Sequence, residues 1–320
     1  MDVMTVRAWR VLCCLLLAVL TACASAPPRL PSPLAPPSAA SVLSRGAVAP
    51  QNTNDEEGRN MAVLFQGLYA LTPADCGSGR PAFHCSGVLL RGGQYSTAFG
   101  VWNPNPNSPK VGGVSFSWLR QDARFGKLAY GYDAGFLFAP TDYQGAFPYY
   151  PIDVLCAYPI DANSDARSAF GCGANSRHPA TSGPCQAQNI TTSSAWLNHY
   201  RQVTDYPNAH QCGFTTKAGT ADAAVVFALL PSAMSGLGSV SFQTQNELIV
   251  AEWPQNIVGT IPLAAFFYAG GGNGLPSAQG MQRDFIRAGG PWRPVLRMTL
   301  PANASAQASF DYLPGEQAVP

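Results

Sequence analysis

Six cysteines, Cys76, Cys85, Cys156, Cys172, Cys185 and Cys212, fall in the middle of the 320-residue chain, and they restrict its folding more than any other feature. The chain holds nine in all; Cys13 and Cys14 lie in an apolar leader and Cys23 stands at its end, so that six remain. In an exported protein an even set of this size closes into three disulfides, which constrain the unfolded chain most where the loops are long. The sequence leaves fifteen pairings open. Zinc is a poor alternative: no CxxC occurs among the six, and His84, His178, His199 and His210 lack ligand spacing. No metal is expected.

Export is indicated by the first residues, MDVMTVRAWRVLCCLLLAVLTACAS, with two arginines, a short apolar run and then small residues. The run is shorter than a membrane span requires. Leu20-Thr21-Ala22-Cys23 resembles the bacterial lipoprotein cleavage box, which implies lipidation of Cys23 and a membrane attachment through that lipid alone. Ala24 in the next position, where Asp is absent, implies by the same resemblance an outer-membrane lipoprotein or one in the periplasm or at the cell surface. Residues 24–53 are mostly Pro, Ala and Ser, a composition that makes an extended tether. The expected layout is a signal peptide over 1–23, the tether over 24–53 and a single domain over 54–320, with the globular texture clearest as far as Pro301.

Only 12% of the residues are charged, 47% are hydrophobic and the net charge is +1, which excludes a polyanion-binding surface. Gly 31 and Pro 28 favour short strands and loops over long surface helices. Helices are expected after Asp55 through Met61, Leu64, Phe65 and Leu68, after Thr192 or Ser193 through Trp196, Leu197, Tyr200 and Val203, and after Ser277 through Phe285 to Gly289. Strands are expected over 86–91, 113–118, 135–139, 154–158, 246–252, 257–260, 263–268 and 294–300. Helices scattered among many short strands, without a βαβ rhythm, define an α+β fold.

Several motifs fail on their own terms. Gly270-Gly271-Gly272-Asn273-Gly274 lacks the GxGxxG register, no Walker sequence occurs, and Gly113-Val114-Ser115-Phe116-Ser117 ends in serine where a nucleophile elbow needs glycine. Three other segments stand out: Cys85-Ser86-Gly87-Val88-Leu89-Leu90-Arg91-Gly92, Gly112-Gly113-Val114-Ser115-Phe116-Ser117, and Gln245-Asn246-Glu247-Leu248-Ile249-Val250. An arginine at a strand end presents a planar fork suited to phosphate oxygens. Gly92 and Gly93 let a ligand come close to the backbone. In a strand Gln245 and Glu247 share one face, so that a carboxylate beside an amide is aimed in one direction. A carboxylate so placed can stabilise an oxocarbenium-like sugar cation.

The order Arg, Ser-x-Ser, Gln-x-Glu resembles that of the mono-ADP-ribosyltransferases, which cleave NAD at its nicotinamide bond. The resemblance implies an ADP-ribosyltransferase-like split β-sandwich core with peripheral helices, here stapled by disulfides, and NAD bound between two small sheets as substrate. It further implies Glu247, Gln245 and Ser115 as catalytic residues, and Arg91, Gly92 and Ser117 as NAD-binding residues. Phe242, five residues before Glu247, matches the aromatic of the target-recognition turn in clostridial Rho-modifying exoenzymes, which implies an acceptor-facing loop over 235–244. Only 24 positions separate Arg91 from Ser115, and the Pro- and Asn-rich segment between them departs from the family pattern, so that Ser96 or Ser117 competes with Ser115 as the motif serine. CSGVLLRG, VWNPNPNS, GGVSFSWLR, KLAYGY, VLCAYPIDA and NELIVAEWPQ also resemble the halovibrin group of secreted bacterial proteins, which implies NAD-glycohydrolase or ADP-ribosyltransferase activity. The acceptor is then water or a macromolecule, through a protein side chain or a nucleobase; Gln245 in the first motif position speaks against arginine. Two rivals stand beside this reading. One is a surface lipoprotein that binds carbohydrate or a host protein through Trp102, Tyr149 and Tyr150, and the other a hydrolase using Asp161 or Asp165 near Arg167.

Overall fold

Eleven short strands and four α-helices are present among the residues described by the computed structural model, which are 50–95, 113–138, 153–162, 166–167, 172–174, 183–202, 211–216, 223–238, 242–251, 263–270 and 272–318. The leader with Cys23, the tether up to residue 49, Ser96, Trp102, Tyr149, Tyr150, Asp165 and the strand expected over 257–260 lie outside them. Nine strands form one sheet in the order β11-β10-β9-β3-β1-β2-β8-β4-β7. They are β1 (Val88–Gly93), β2 (Val114–Leu119), β3 (Ala134–Phe138), β4 (Val154–Tyr158), β7 (Phe214–Thr215), β8 (Glu247–Val250), β9 (Leu263–Tyr268), β10 (Val295–Thr299) and β11 (Ser309–Tyr312). All neighbours are antiparallel except β9 and β10, while β5 (Ala166–Arg167) and β6 (Gly173–Ala174) form a separate hairpin. The protein is therefore α+β.

Alternation along the strands sorts the core into two faces. The pairs Leu90↔Ser117 and Ser115↔Ile249 put these four residues on one face, the front; Leu89↔Trp118, Arg91↔Phe136 and Phe116↔Leu248 belong to the back. The back is covered by α3 (Ala223–Gly236), whose Phe227 ring meets Trp118 at 5.6 Å, and by α4 (Gly274–Arg287), whose Phe285 meets Phe266 at 5.8 Å. Near one edge the front is covered by α1 (Pro50–Ala70), with Phe65 5.9 Å and Tyr69 6.4 Å from Phe310. Proline suits the first position of a helix, and α1 starts at Pro50, inside the expected tether. The fourth helix, α2 (Ser193–Gln202), packs on α3 and buries Trp196, Leu197 and Tyr200; Thr192 Oγ1 accepts the Ala195 N–H at 3.2 Å, the expected cap. By contrast α4 begins three residues before Ser277, after Asn273, and ends as expected at Gly289, where φ is +88°.

All six cysteines close into three disulfides, Cys76–Cys85, Cys156–Cys172 and Cys185–Cys212. Such bridges are compatible with a life outside the cytoplasm. No described helix is long and apolar enough to cross a membrane.

One ion pair ties α1 to the approach of β10: Arg293 Nη1 lies 3.1 Å from Glu57 Oε1, both partly buried. Burial pushes the Glu57 carboxyl above its ordinary value, and the attraction of Arg293 only partly offsets it. A raised carboxyl stabilises the fold below the ordinary value of 4.5 and loses that contribution as pH rises through the folded value. Urea midpoints are accordingly expected to fall for the parent over this window and to stay flat for Glu57→Gln, with little difference at acid pH. Arg293→Met, which strands the carboxylate, is expected to cost more than Glu57→Gln at pH 7.

Candidate functional site

The three motif segments, spread over more than half the chain, come to lie on three neighbouring strands. The sheet places β8 beside β2 and β2 beside β1, so that Glu247, Ser115-x-Ser117 and Arg91 sit on adjacent strands near its centre. The β1–β2 ladder covers only Val88↔Leu119, Leu89↔Trp118 and Leu90↔Ser117. Beyond it Arg91, Gly92 and Gly93 continue on β3, while Val114, Ser115 and Phe116 pair with β8. The sheet thus forks after Leu90 and Ser117. In place of two separate small sheets there is one continuous strand order with a fork in it.

A second irregularity lies at the entry of β8. The β2–β8 ladder ends at Phe116↔Leu248, and two residues further along β2 Trp118 meets the side chain of Asn246. There the side chain of Asn246 replaces the strand backbone: its Oδ1 accepts the Trp118 N–H at 2.8 Å and its Nδ2 donates to the Trp118 carbonyl at 2.8 Å. Released from the ladder, the backbone turns toward the end of β4, where the Gln245 carbonyl accepts the Asp161 N–H at 2.6 Å. Asn246 is fully buried and was not singled out in the sequence, where a single Asn beside an apolar run carries no signal.

Glu247 is buried on the front face, and its Oε2 accepts the Ala162 N–H at 3.1 Å. Tyr158 stands directly across from it on β4, and Ser117 on β2, the neighbouring strand on the other side, shares its face. Directly opposed Cβ atoms in such a pair lie roughly 5 Å apart. Ser117 Oγ and Gln245 Oε1 are both buried and make no hydrogen bond among the described residues. Buried polar atoms are almost always paired, so these two mark a place where a donor-bearing group would be favoured. On this same face Ile249 packs with Cys156, Tyr158, Ala162 and Cys172, which supplies an apolar wall beside the carboxylate. Ser115 shares the face of Ser117 and Glu247, two positions further from the carboxylate along β2, and is half-buried.

Other expected site residues are placed differently. Arg91 points to the back face, its guanidinium carbon 5.9 Å from the centre of the Phe136 ring, whereas Glu247 points to the front. The reason is the two-residue period: Leu90 shares the face of Ser117, so its neighbour Arg91 cannot. Arg91 and Glu247, which the resemblance implies as NAD-binding and catalytic residues, thus project from opposite faces of the sheet. Gly92 does lie on the front, beside the fork, where a Cβ would stand 3.2 Å from the Tyr132 ring. Phe242 is half-buried, its ring and carbonyl both against Gly126, which receives the ring only because it lacks a Cβ and donates its N–H to the Phe242 carbonyl at 2.9 Å. The expected acceptor loop is in part helical, since α3 runs to Gly236 and residues 242–243 form a helical turn. Asp161 contributes its backbone to the Glu247 site, while Arg167 lies in the β5–β6 hairpin.

No group of three metal-ligating side chains occurs among the described residues. No protein-family model, no curated protein and no solved structure matches the chain.

Proposed function

We propose that the protein is an enzyme that cleaves the bond between nicotinamide and ribose in NAD and passes ADP-ribose to water or to a macromolecular acceptor. The observation that carries this reading is the insertion of Gln245-x-Glu247 beside Ser-x-Ser, although 128 residues separate Ser117 from Gln245. A buried carboxylate and a buried hydroxyl then share one face next to a fork in the sheet, and the buried amide oxygen of Gln245 stands two residues before the carboxylate. The arrangement is in keeping with the split core of the ADP-ribosyltransferase resemblance.

In the proposed reaction the C1′–N bond breaks, its electron pair leaves with neutral nicotinamide, and the ribose passes through an oxocarbenium-like state. Glu247 stabilises that positive charge and accepts a hydrogen bond from a ribose hydroxyl, in surroundings whose low polarity strengthens both effects. Ser117, on the carboxylate's face of the neighbouring strand, takes the orienting role for which Ser115 also competed. Gln245 positions the attacking oxygen or nitrogen, which bonds to C1′ and gives up a proton. Arg91, an NAD-binding residue in the resemblance, lies on the other face and takes no part in this step.

The test is direct. The purified chain with its disulfides intact is incubated with NAD and free nicotinamide is measured by chromatography. Release above the uncatalysed rate is expected; its absence with and without candidate acceptors overturns the reading. Binding without catalysis would then be favoured, and Tyr130, 73% exposed with φ at +56° and 5.6 Å from the Tyr132 ring, is the aromatic surface to examine with carbohydrate ligands.

A further inference from the structure

The geometry points to Gln211 as a positioning residue for Glu247, acting through the single peptide unit that joins Asp161 to Ala162; its catalytic meaning rests on the function proposed above. Gln211, 1% exposed, donates from Nε2 to the Asp161 carbonyl at 3.1 Å. The N–H of that same peptide unit, on Ala162, donates to Glu247 Oε2 at 3.1 Å. One rigid plane is thus held at its oxygen by Gln211 and presents its hydrogen to the carboxylate. Polarisation of the carbonyl by the Gln211 amide strengthens the donor at the far end. The preceding N–H, on Asp161, is held by the Gln245 carbonyl at 2.6 Å, so the turn cannot pivot away from the strand.

Gln211 is itself anchored. Its neighbour Cys212 is bonded to Cys185, and the Tyr200 hydroxyl both donates to the Cys212 carbonyl at 2.8 Å and accepts the Cys212 N–H at 2.9 Å. Burial pushes the Tyr200 phenol far above its ordinary value, which keeps it protonated and able to donate. A residue near the end of a long disulfide loop is in this way fixed firmly enough to orient a peptide just past the end of β4. Nothing in the sequence around Gln211 distinguishes it, because its partner is a backbone carbonyl fifty residues away.

The experiment uses the full chain and Gln211→Met, which keeps the side-chain length and removes the donor. Amide hydrogen exchange at Ala162 is expected to quicken about tenfold, while the core amides of β1 and β3 exchange as in the parent. The turnover of NAD is expected to fall roughly tenfold with KM changed less than about twofold, since misplacing a catalytic group affects the transition state most. Parental exchange at Ala162 together with parental turnover overturns the proposal, and so does a quickening spread evenly over all core amides, which marks general destabilisation. Should Gln211→Met fail to fold, Gln211→Glu, which sets a carboxylate against the Asp161 carbonyl, is read in the same way. If the parent releases no nicotinamide, the enzyme reading fails alone and exchange at Ala162 still decides the positioning.

Discussion

Glu247→Gln is expected to lower nicotinamide release from NAD by more than about a hundredfold, the size typical of losing one electrostatic stabiliser. The substitution is nearly isosteric, and its remaining oxygen can still accept the Ala162 N–H that Glu247 Oε2 accepts at 3.1 Å. Removal of a buried charge does not in itself destabilise a fold, so the thermal midpoint should stay within about 2 °C of the parent. The loss is expected chiefly in kcat, because the negative charge counts only once positive charge has formed on the ribose. A variant that turns over NAD at the parental rate would remove Glu247 from the reaction. A variant that has lost both activity and stability would be uninformative on charge, and Glu247→Asp, which keeps the charge but withdraws it by one methylene, then serves in its place.

Asn246→Ala has the largest expected effect on stability. Its side chain satisfies both the N–H and the carbonyl of Trp118 inside the core, at 2.8 Å each. Truncation leaves two buried backbone groups without partners, each costing about 1–3 kcal/mol, so a total of roughly 2–6 kcal/mol is expected from urea unfolding. Asn246→Asp keeps an acceptor for the N–H but loses the donor to the carbonyl and buries a charge, and should be no milder. Because these bonds also fix where β8 leaves β2, the Ala variant should lose activity even at temperatures where it remains folded. A change below about 0.5 kcal/mol would mean that the Trp118 backbone finds other partners when Asn246 is absent.

Much of the fold can be read in the chain. Seven expected strands appear with ends shifted by few residues, because their apolar runs are bounded by Gly, Pro and Asn. Others could not be read. The sequence of α3, AAVVFALLPSAMSG, is apolar on nearly every side and carries Pro231, so it has neither an amphipathic period nor a clean helical composition. Likewise β11 has only four residues, SFDY, and acquires its apolar role from α1, which brings Phe65 and Tyr69 onto Phe310. At the candidate site, Glu247 and Gln245 were recognisable as side chains whose polarity conflicts with their apolar neighbours, and Ser117 only through the Ser-x-Ser resemblance. Ala162 and Gln211 were not, since one acts through its backbone and the other on a backbone.

By itself the sequence determined the α+β class, the six cysteines that pair, and the presence of a carboxylate and an amide two residues apart at the head of an apolar strand. Composition and local period are enough for these, since each depends on residues close together in the chain. Only the tertiary structure decided which cysteines join, that Ser117 shares the face of Glu247 on a neighbouring strand, and that Arg91 turns to the other face. Those depend on strand register, where a shift of one residue reverses every side chain, and register is set by pairings between segments far apart.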